Sequence, residues 1–201
     1  DPSNKAMSAG LDRFDNYINK VNIANELLQF RSKRLMRVVV SRLHADVNYE
    51  VESGLRTNEL YTNAPISVDF ITATPNSYMA FTATPTGNGT VQLTDIQGID
   101  GAKDSYEAKL NTPVTIGREK LIVKPTKRWG NQWFDTEILV TKLPLNAVAG
   151  SMLANLGIRQ EEDEASILTL SLKDNSAERA EDVLNTLIDV YNEEAINDKN
   201  Q

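Results

Sequence analysis

The strongest chemical signal in this sequence is a short aromatic and cationic stretch, KRWGNQWF, at residues 127–134. Trp129 and Trp133 lie four residues apart and follow Lys127 and Arg128. Each tryptophan offers a large flat face with one polar N–H, which is typical of saccharide sites. The same residues are also typical of aromatic side chains that pack into a core at the start of a strand. Trp129 and Trp133 are therefore a candidate ligand platform, with core packing as the alternative.

The single histidine, His44, lies in SRLHADV at a predicted helix end. A histidine that acts as a general base needs an oriented partner and a nearby nucleophile or substrate. The sequence supplies no such partner. A favourable interaction between the ring and the negative end of the helix dipole explains the residue equally well.

Two acidic runs, EEDE at 161–164 and NEEAIND at 192–198, are of the residue type that serves glycoside hydrolysis or cation binding. The first run falls in a helix-to-strand connection and the second on the polar side of the last helix, where solvated charge is the simpler interpretation. The glycine-rich TPTGNGT lacks the lysine and the following helix of a phosphate-binding loop, so it predicts a hairpin. We therefore predict no catalytic residue, no cofactor and no metal site, and we expect that this chain is not an enzyme.

The sequence RSKRLMR at 31–37, followed by Arg42, predicts a basic helical face. Such a face is typical of proteins that bind nucleic acid or anionic lipid. A solvated face, or one that meets an acidic neighbour, is the alternative. The formal net charge of −7 favours that alternative, because non-specific nucleic-acid binding requires a basic surface. We predict no nucleic-acid partner.

The bulk composition is that of an ordinary globular chain of 201 residues, 40% hydrophobic and 24% charged. The absence of cysteine excludes thiol catalysis, disulfides and cysteine-based zinc sites. No stretch approaches the ~18 consecutive apolar residues of a membrane span, and DPSNKAMSAG at the start lacks the features of a signal peptide.

The predicted helices and strands that position these residues indicate an α+β fold. Residues 1–19 are expected to form a mobile polar arm, and 20–201 a single domain. A helical period over 17–47 predicts an N-terminal helix that bends at Ser32, where a polar residue interrupts the apolar stripe and could cap a second helix. That stripe consists of Ala24, Leu28, Leu35, Val39 and Leu43.

Alternating apolar residues between turn signals predict a series of strands after this helix. The predicted strands are 47–53, 64–73, 77–84, 89–96, 120–124, 133–144 and 165–175. PTGNG predicts a hairpin loop, Gly117 a bend, and residues 145–158 a short helix. This order predicts a mostly antiparallel sheet with helices packed on one face.

The last helix has a predicted start but no predicted stop. Asn175 is the expected cap, with Glu178 completing a capping box. No Gly or Pro follows, so we expect the helix to continue beyond residue 201 and the chain to be a fragment of a longer protein. The apolar face of this helix consists of Ala180, Leu184, Leu187, Tyr191 and Ala195.

Residues 25–68 and 167–200 resemble the two ends of the Wzz-type chain-length determinant domain, and NTPVTIGREKLIVKPT resembles the segment between them. In the first stretch the matching positions are Glu26, Ser32, Leu35, Val38, Val39, Leu43, Tyr49, Arg56, Leu60, Tyr61, Pro65, Ile66 and Val68. In the second stretch they are Asp174, Ala180 and Asn185. The order and joint spacing of these packing residues carry the resemblance. The form LIDVYN…AI.DKN is most similar to the Wzc-like members that bear a cytoplasmic tyrosine kinase, although no kinase motif lies in this chain.

The resemblance implies the periplasmic portion of a bacterial inner-membrane protein, anchored by flanking membrane spans. It implies a polysaccharide co-polymerase that forms homo-oligomers and regulates the chain length and export of capsular or exopolysaccharide. The implied partners are further copies of the chain, the polymerase and export machinery, and the polysaccharide. The alternative function is a saccharide-binding module that uses Trp129 and Trp133. A hydrolase that uses the acidic runs is a third hypothesis, which no motif supports.

Overall fold

The computed structural model describes residues 15–22, 29–162 and 167–201. Within these ranges the α-helices are α1 (Lys33–Leu43), α2 (Leu145–Asn155) and α3 (Ala177–Lys199). The strands are β1 (Asp15–Asn22), β2 (Val47–Ser53), β3 (Arg56–Glu59), β4 (Ile66–Phe70), β5 (Met79–Pro85), β6 (Thr90–Gln97), β7 (Tyr106–Lys109), β8 (Pro113–Ile116), β9 (Glu119–Pro125), β10 (Ile138–Lys142), β11 (Leu156–Gln160) and β12 (Ile167–Asp174). Short 3-10 helices lie at Gln29–Arg31, Tyr61–Asn63 and Asn131–Trp133.

The α+β class with mostly antiparallel strands agrees with the prediction, but the predicted arrangement of one sheet with helices packed on one face is wrong. The strands form three separate sheets, in the orders β1-β12-β11, β3-β2-β10-β5-β6-β7 and β4-β9-β8. The helices and the first sheet belong to one compact unit, whereas residues 46–144, which hold the other two sheets, contain no α-helix. Short strands can bury their apolar faces against a second sheet as well as against a helix, and periodicity does not distinguish the two.

The chain forms two compact units, one from the described residues of 1–45 and 145–201 and the other from Asp46–Pro144. The prediction of a single domain over 20–201 stays a prediction, because two compact units of one chain need not fold independently. Residues 1–14 of the predicted arm lie outside the described residues. Residues 15–22 form β1, which pairs antiparallel with β12.

In the unit Asp46–Pro144, two sheets share one apolar core. The core side chains come from both sheets: Ile66, Val68, Phe81, Ala83, Val91, Leu93, Ala108, Ile116, Leu121, Val123, Ile138 and Val140. They recur at every second residue of β4, β5, β6, β9 and β10, which is the period of a strand with one buried face. The predicted hairpin loop joins β5 to β6, and Gly89 there adopts the left-handed φ of +70°.

The core of the other unit consists of leucines of β12 together with apolar side chains of the three helices. Ser32 caps α1 as predicted, because its Oγ accepts a hydrogen bond from the Leu35 N–H at 3.3 Å. The stripe residues Leu35 and Val39 are buried and Leu43 is half-buried, while Ala24 and Leu28 lie outside the described residues. The helix predicted over 17–47 is wrong at residues 17–22, which belong to strand β1, and among the described residues its α-helical part is α1 alone.

The predicted cap of α3 is wrong by one residue. Ser176, not Asn175, has the extended backbone of a cap, and its Oγ accepts from the Arg179 N–H at 3.2 Å. Glu178 therefore does not occupy the third helical position, and the capping box is not formed. Asn and Ser cap helices almost equally well, so their residue types do not decide between neighbouring positions.

The predicted continuation of α3 is also wrong. The helix ends at Lys199, and the Asn200 N–H bonds to the Asn197 carbonyl oxygen at 3.2 Å, which closes a tight last turn. Asparagine has low helix propensity, and two of the last five residues are asparagine. The predicted apolar face of α3 is confirmed: Ala180, Leu184, Leu187 and Tyr191 are buried and Ala195 is half-buried. Those buried side chains belong to the core of the unit.

Candidate functional site: an aromatic loop

The stretch singled out by the sequence forms a loop between β9 and β10, at residues 126–137, which we call the aromatic loop. Thr126 anchors its start, because the Thr126 N–H bonds to the Pro65 carbonyl at 2.9 Å and the hydroxyl bonds to the Ala64 carbonyl at 2.6 Å. Asp135 anchors its end through an N–H bond to the Pro85 carbonyl at 3.0 Å. The predicted strand over 133–144 therefore begins only at Ile138, because the preceding residues are committed to this loop.

Further hydrogen bonds fix the interior of the aromatic loop. The Thr126 hydroxyl accepts from the Arg128 N–H at 3.1 Å, and the Thr126 carbonyl accepts from the Trp129 N–H at 3.1 Å. The Gln132 amide donates to the Arg128 carbonyl at 3.3 Å. A Cβ at position 130 would lie 2.3 Å from Gln132 Oε1, so Gly130 leaves room for this bond. The loop is thus ordered both by its own side chains and by its anchors to Ala64, Pro65 and Pro85.

Asp135 adopts a left-handed φ of +64°, which residues other than glycine rarely adopt. Such a conformation costs on the order of 1 kcal/mol and persists only where neighbouring contacts impose it. Here the anchor to Pro85 holds it. A short loop that is both strained and cross-linked by hydrogen bonds presents its side chains in one geometry, which binding loops require.

The tryptophans occupy a position between core and solvent. Trp129 and Trp133 are both half-buried and pack against the core shared by the two sheets of this unit. The rings of Trp129 and Phe134 form a tilted pair, with centroids 6.0 Å apart and planes inclined by 59°. Each tryptophan therefore serves the core and still presents part of its side chain to solvent, so the two sequence interpretations are not exclusive.

The charges near the tryptophans differ in sign from the chain as a whole. From Lys120 to Phe134 the sequence has four cations and no carboxylate, within a chain of net charge −7. Lys127 and Arg128 are exposed, and among the residues that the structure describes neither has an ion-pair partner. Partly exposed aromatic side chains near unpaired cations can stack on a ring and attract an anion.

Thr126 is the residue of this site that sequence reasoning missed. Its contact with Ala64 spans 62 residues of sequence, so no local pattern predicts it. For the bond to Arg128 a local signal did exist, because a threonine hydroxyl can bond the N–H two residues later in a hydroxyl turn. That bond is the one seen from Thr126 to Arg128.

The residues that match the family pattern in the unit Asp46–Pro144 have structural positions. The Val68 N–H donates to the Tyr49 hydroxyl oxygen at 2.8 Å, which connects β2 to β4 across the two sheets. Desolvation of the hydroxyl end by burial raises the pKa of Tyr49 to about 12, with Val68 and Ser67 opposing the shift through hydrogen bonds. Pro65 is buried at the anchor of the aromatic loop, Tyr61 is half-buried, and Arg56 is exposed.

The remaining family-matching positions lie in the other unit or outside the described residues. Asp174 accepts from the Ser176 N–H at 2.8 Å and from the Arg179 guanidinium at 2.8–3.0 Å, and this ion pair is almost fully buried. Ala180 is buried in the core beside it, and Asn185 is exposed on α3. Glu26 lies outside the described residues. These residues do not gather at one site.

The basic face of α1 meets an acidic neighbour, as one of the two interpretations predicted. Arg34 binds both carboxylate oxygens of Glu194 at 2.5 and 2.8 Å, and Arg42 binds both of Glu193 at 2.9 Å. The hydrogen bonds from the arginines lower the pKa of both glutamate carboxyls. Part of the run NEEAIND therefore joins α3 to α1.

The other candidate residues have no catalytic arrangement in the geometry described. His44 is an exposed residue at the end of α1, with a φ of 51° and its N–H bonded to the Ser41 carbonyl. Glu161 of the EEDE run accepts a hydrogen bond from Thr169, whereas 163 and 164 lie outside the described residues. Nowhere in residues 15–22, 29–162 and 167–201 do three His, Cys, Asp or Glu side chains come together as a metal site would require.

One buried cation, Lys142 on β10, was not predicted. Its ammonium group pairs with Asp46 at 3.2 Å and donates to the carbonyls of Pro75, Ser77 and Leu143. These acceptors compensate the buried charge and fix the segment before β5 to the last residue of β10. The arrangement is structural.

In the part of the chain that the structure describes, none of the helices has the length and apolar composition to cross a membrane. No family model matches this sequence, and a search of curated proteins found no match.

Proposed function

We propose that this chain is the periplasmic domain of an inner-membrane polysaccharide co-polymerase of the Wzz type. In this role it assembles with copies of itself and regulates the chain length and export of a capsular or exopolysaccharide. Its contribution is structural and regulatory, and its partners are the polymerase and export machinery. The parent protein is anchored in the membrane by segments outside this chain.

The observation that supports the proposal is the joint order and spacing of the matching residues over about 20–200. Two of them are positions where the fold depends on residue type. Tyr49 and Asp174 each accept a hydrogen bond from a backbone N–H that would otherwise lack this partner. A substitution there is costly, so matching residues at both positions carry more weight than matching exposed residues.

The test is made in cells with the full-length gene. One version lacks residues 20–200, and a second carries Asp174→Ala, with Lys173→Ala as the matched control on the exposed face of the same strand. Membrane levels of all versions are first shown to be equal. We expect the deletion and Asp174→Ala to shift the length distribution of the surface polysaccharide on a gel, and Lys173→Ala to leave it unchanged. An unchanged distribution for the deletion would refute the proposal.

A second candidate function is direct saccharide binding by the aromatic loop. The observation that favours it is that Trp129 and Trp133 are half-exposed on a loop that hydrogen bonds hold in one conformation. Titration with oligosaccharides at millimolar concentration should change tryptophan fluorescence. If neither fluorescence nor quencher accessibility responds, this candidate is eliminated, and the first proposal is unaffected because it does not require direct contact with sugar.

A further inference from the structure

We infer that the aromatic loop binds an acidic saccharide, one whose pyranose rings carry carboxylates, in preference to a neutral one. The inference rests on the second candidate function and adds the chemical class of the ligand. It follows from two exposed cations that directly precede a partly exposed tryptophan in a hydrogen-bonded loop.

The cations lie at the Trp129 end of the loop. Lys127 and Arg128 directly precede Trp129, and both are exposed. The carboxylates of this region, Asp135 and Glu137, come only after Phe134, at the opposite end of the loop sequence. The sequence around Trp129 is therefore cationic, although the whole chain has a net charge of −7.

The backbone at Arg128 is fixed, which favours a directed contact over diffuse attraction. Its N–H is bonded to the Thr126 hydroxyl, and its carbonyl accepts from the Gln132 amide. With both backbone groups held, binding a ligand through the guanidinium requires ordering only of the side chain. A guanidinium fork matches a carboxylate with two parallel hydrogen bonds, and a neutral hydroxyl does not use this geometry.

The aromatic ring supplies the second half of the recognition. A sugar ring bound at Trp129 would lie near Lys127 and Arg128, because both directly precede the tryptophan in the chain. A neutral ring would gain the stacking alone, whereas a uronic acid would gain stacking and the ion pair. Lys124 is less available, because it lies 3.6 Å from the Asp69 carboxylate.

The experiment titrates the whole chain with a galacturonic acid hexasaccharide and, separately, with maltohexaose, the neutral hexasaccharide of glucose. Binding is followed by tryptophan fluorescence and by calorimetry, at low and at high salt. The test variant is Lys127→Gln with Arg128→Gln, and the matched control is Lys103→Gln, an exposed cation of another loop in the same unit. All three positions are exposed, so we expect every variant to fold, and circular dichroism verifies this.

We expect the acidic hexasaccharide to bind at least about tenfold more tightly than the neutral one at low salt, because charge-assisted hydrogen bonds are the strong ones. The double variant should lose this preference, and Lys103→Gln should keep it. High salt should weaken the acidic ligand selectively.

Three outcomes would overturn the inference, and they are distinguishable. Equal binding of both hexasaccharides refutes the preference for acid and leaves saccharide binding intact. A preference that survives the double variant means that the loop is not the acidic site. No binding of either ligand removes the inference together with the second candidate function.

Discussion

Replacing Tyr49 by phenylalanine removes the hydroxyl that joins the two sheets of the unit Asp46–Pro144 through its hydrogen bonds with Val68 and Ser67. The phenyl ring fills the same space, so no cavity forms. What is lost is the acceptor for the Val68 N–H, now 2.8 Å from the hydroxyl oxygen. A buried N–H left without a partner lowers the free energy of unfolding by about 1–3 kcal/mol. Phenylalanine offsets part of this loss, because it has no hydroxyl to desolvate on folding. We expect Tyr49→Phe to destabilise the chain by about 2 kcal/mol.

The assay is thermal and urea unfolding followed by circular dichroism. For a chain of this size, 2 kcal/mol corresponds to a fall in Tm of roughly 4–8 °C. Tyr78→Phe is the matched control, because Tyr78 is 44% exposed and its hydroxyl is 3.5 Å from Gln97 Oε1. We expect less than about 0.5 kcal/mol for the control. Equal stability of the parent and Tyr49→Phe would refute the assigned role of the hydroxyl.

The same variant removes a pH dependence whose sign follows from the Tyr49 pKa. Burial raises this pKa to about 12, above the value of ~10 in the unfolded chain. The folded state therefore holds the phenolic proton more tightly, so the contribution is fully present below pH ~10 and is lost as pH rises through about 12. A shift of about two units corresponds to roughly 3 kcal/mol. The stability difference between parent and Tyr49→Phe should shrink over this range, and parallel pH profiles would contradict the assignment.

Two further predictions concern the start of α3. Asp174→Ala removes the carboxylate that the buried Arg179 guanidinium binds, and we expect a loss of about 3–5 kcal/mol in urea unfolding. The exposed Lys173→Ala should cost less than about 0.5 kcal/mol, and similar values for both variants would mean that the pair does not stabilise the fold. Ser176→Ala removes the cap and should cost about 1 kcal/mol, whereas Asn175→Ala should have little effect; the reverse order would restore the cap predicted from sequence.

Local signals in the sequence were sufficient for elements that neighbouring residues determine. The hairpin loop was predicted from Gly and Asn, which tolerate the required φ. Gly117 predicted a bend and has a φ of +56°, and a Cβ there would lie 2.1 Å from the Asp100 carbonyl oxygen. Ser32 was predicted as a cap from its place in the apolar stripe. Each of these depends on residues a few positions apart.

Features that depend on distant residues were not predictable in the same way. The division of the strands into three sheets follows from pairings such as β2 with β10, about 90 residues apart in sequence, which periodicity does not encode. Strand β7 lies outside the predicted strands, because an edge strand need not show an apolar alternation. The aromatic loop was found from its residue types, but its rigidity comes from Ala64, Pro65 and Pro85 on other elements.

These differences separate the two proposals made for this chain. Tyr49 and Asp174 support the family resemblance, and their side chains satisfy backbone groups of the fold. Lys127 and Arg128 carry the ligand hypothesis, and they are exposed and unpaired within the described residues. Changing the first pair perturbs stability and, with it, any function of the chain, whereas changing the second pair leaves the folded state intact. In cells, a length distribution that shifts on Lys127→Gln with Arg128→Gln at unchanged stability would therefore connect regulation to saccharide contact. A distribution that shifts only with Asp174→Ala would assign the regulation of chain length to assembly of the folded domain.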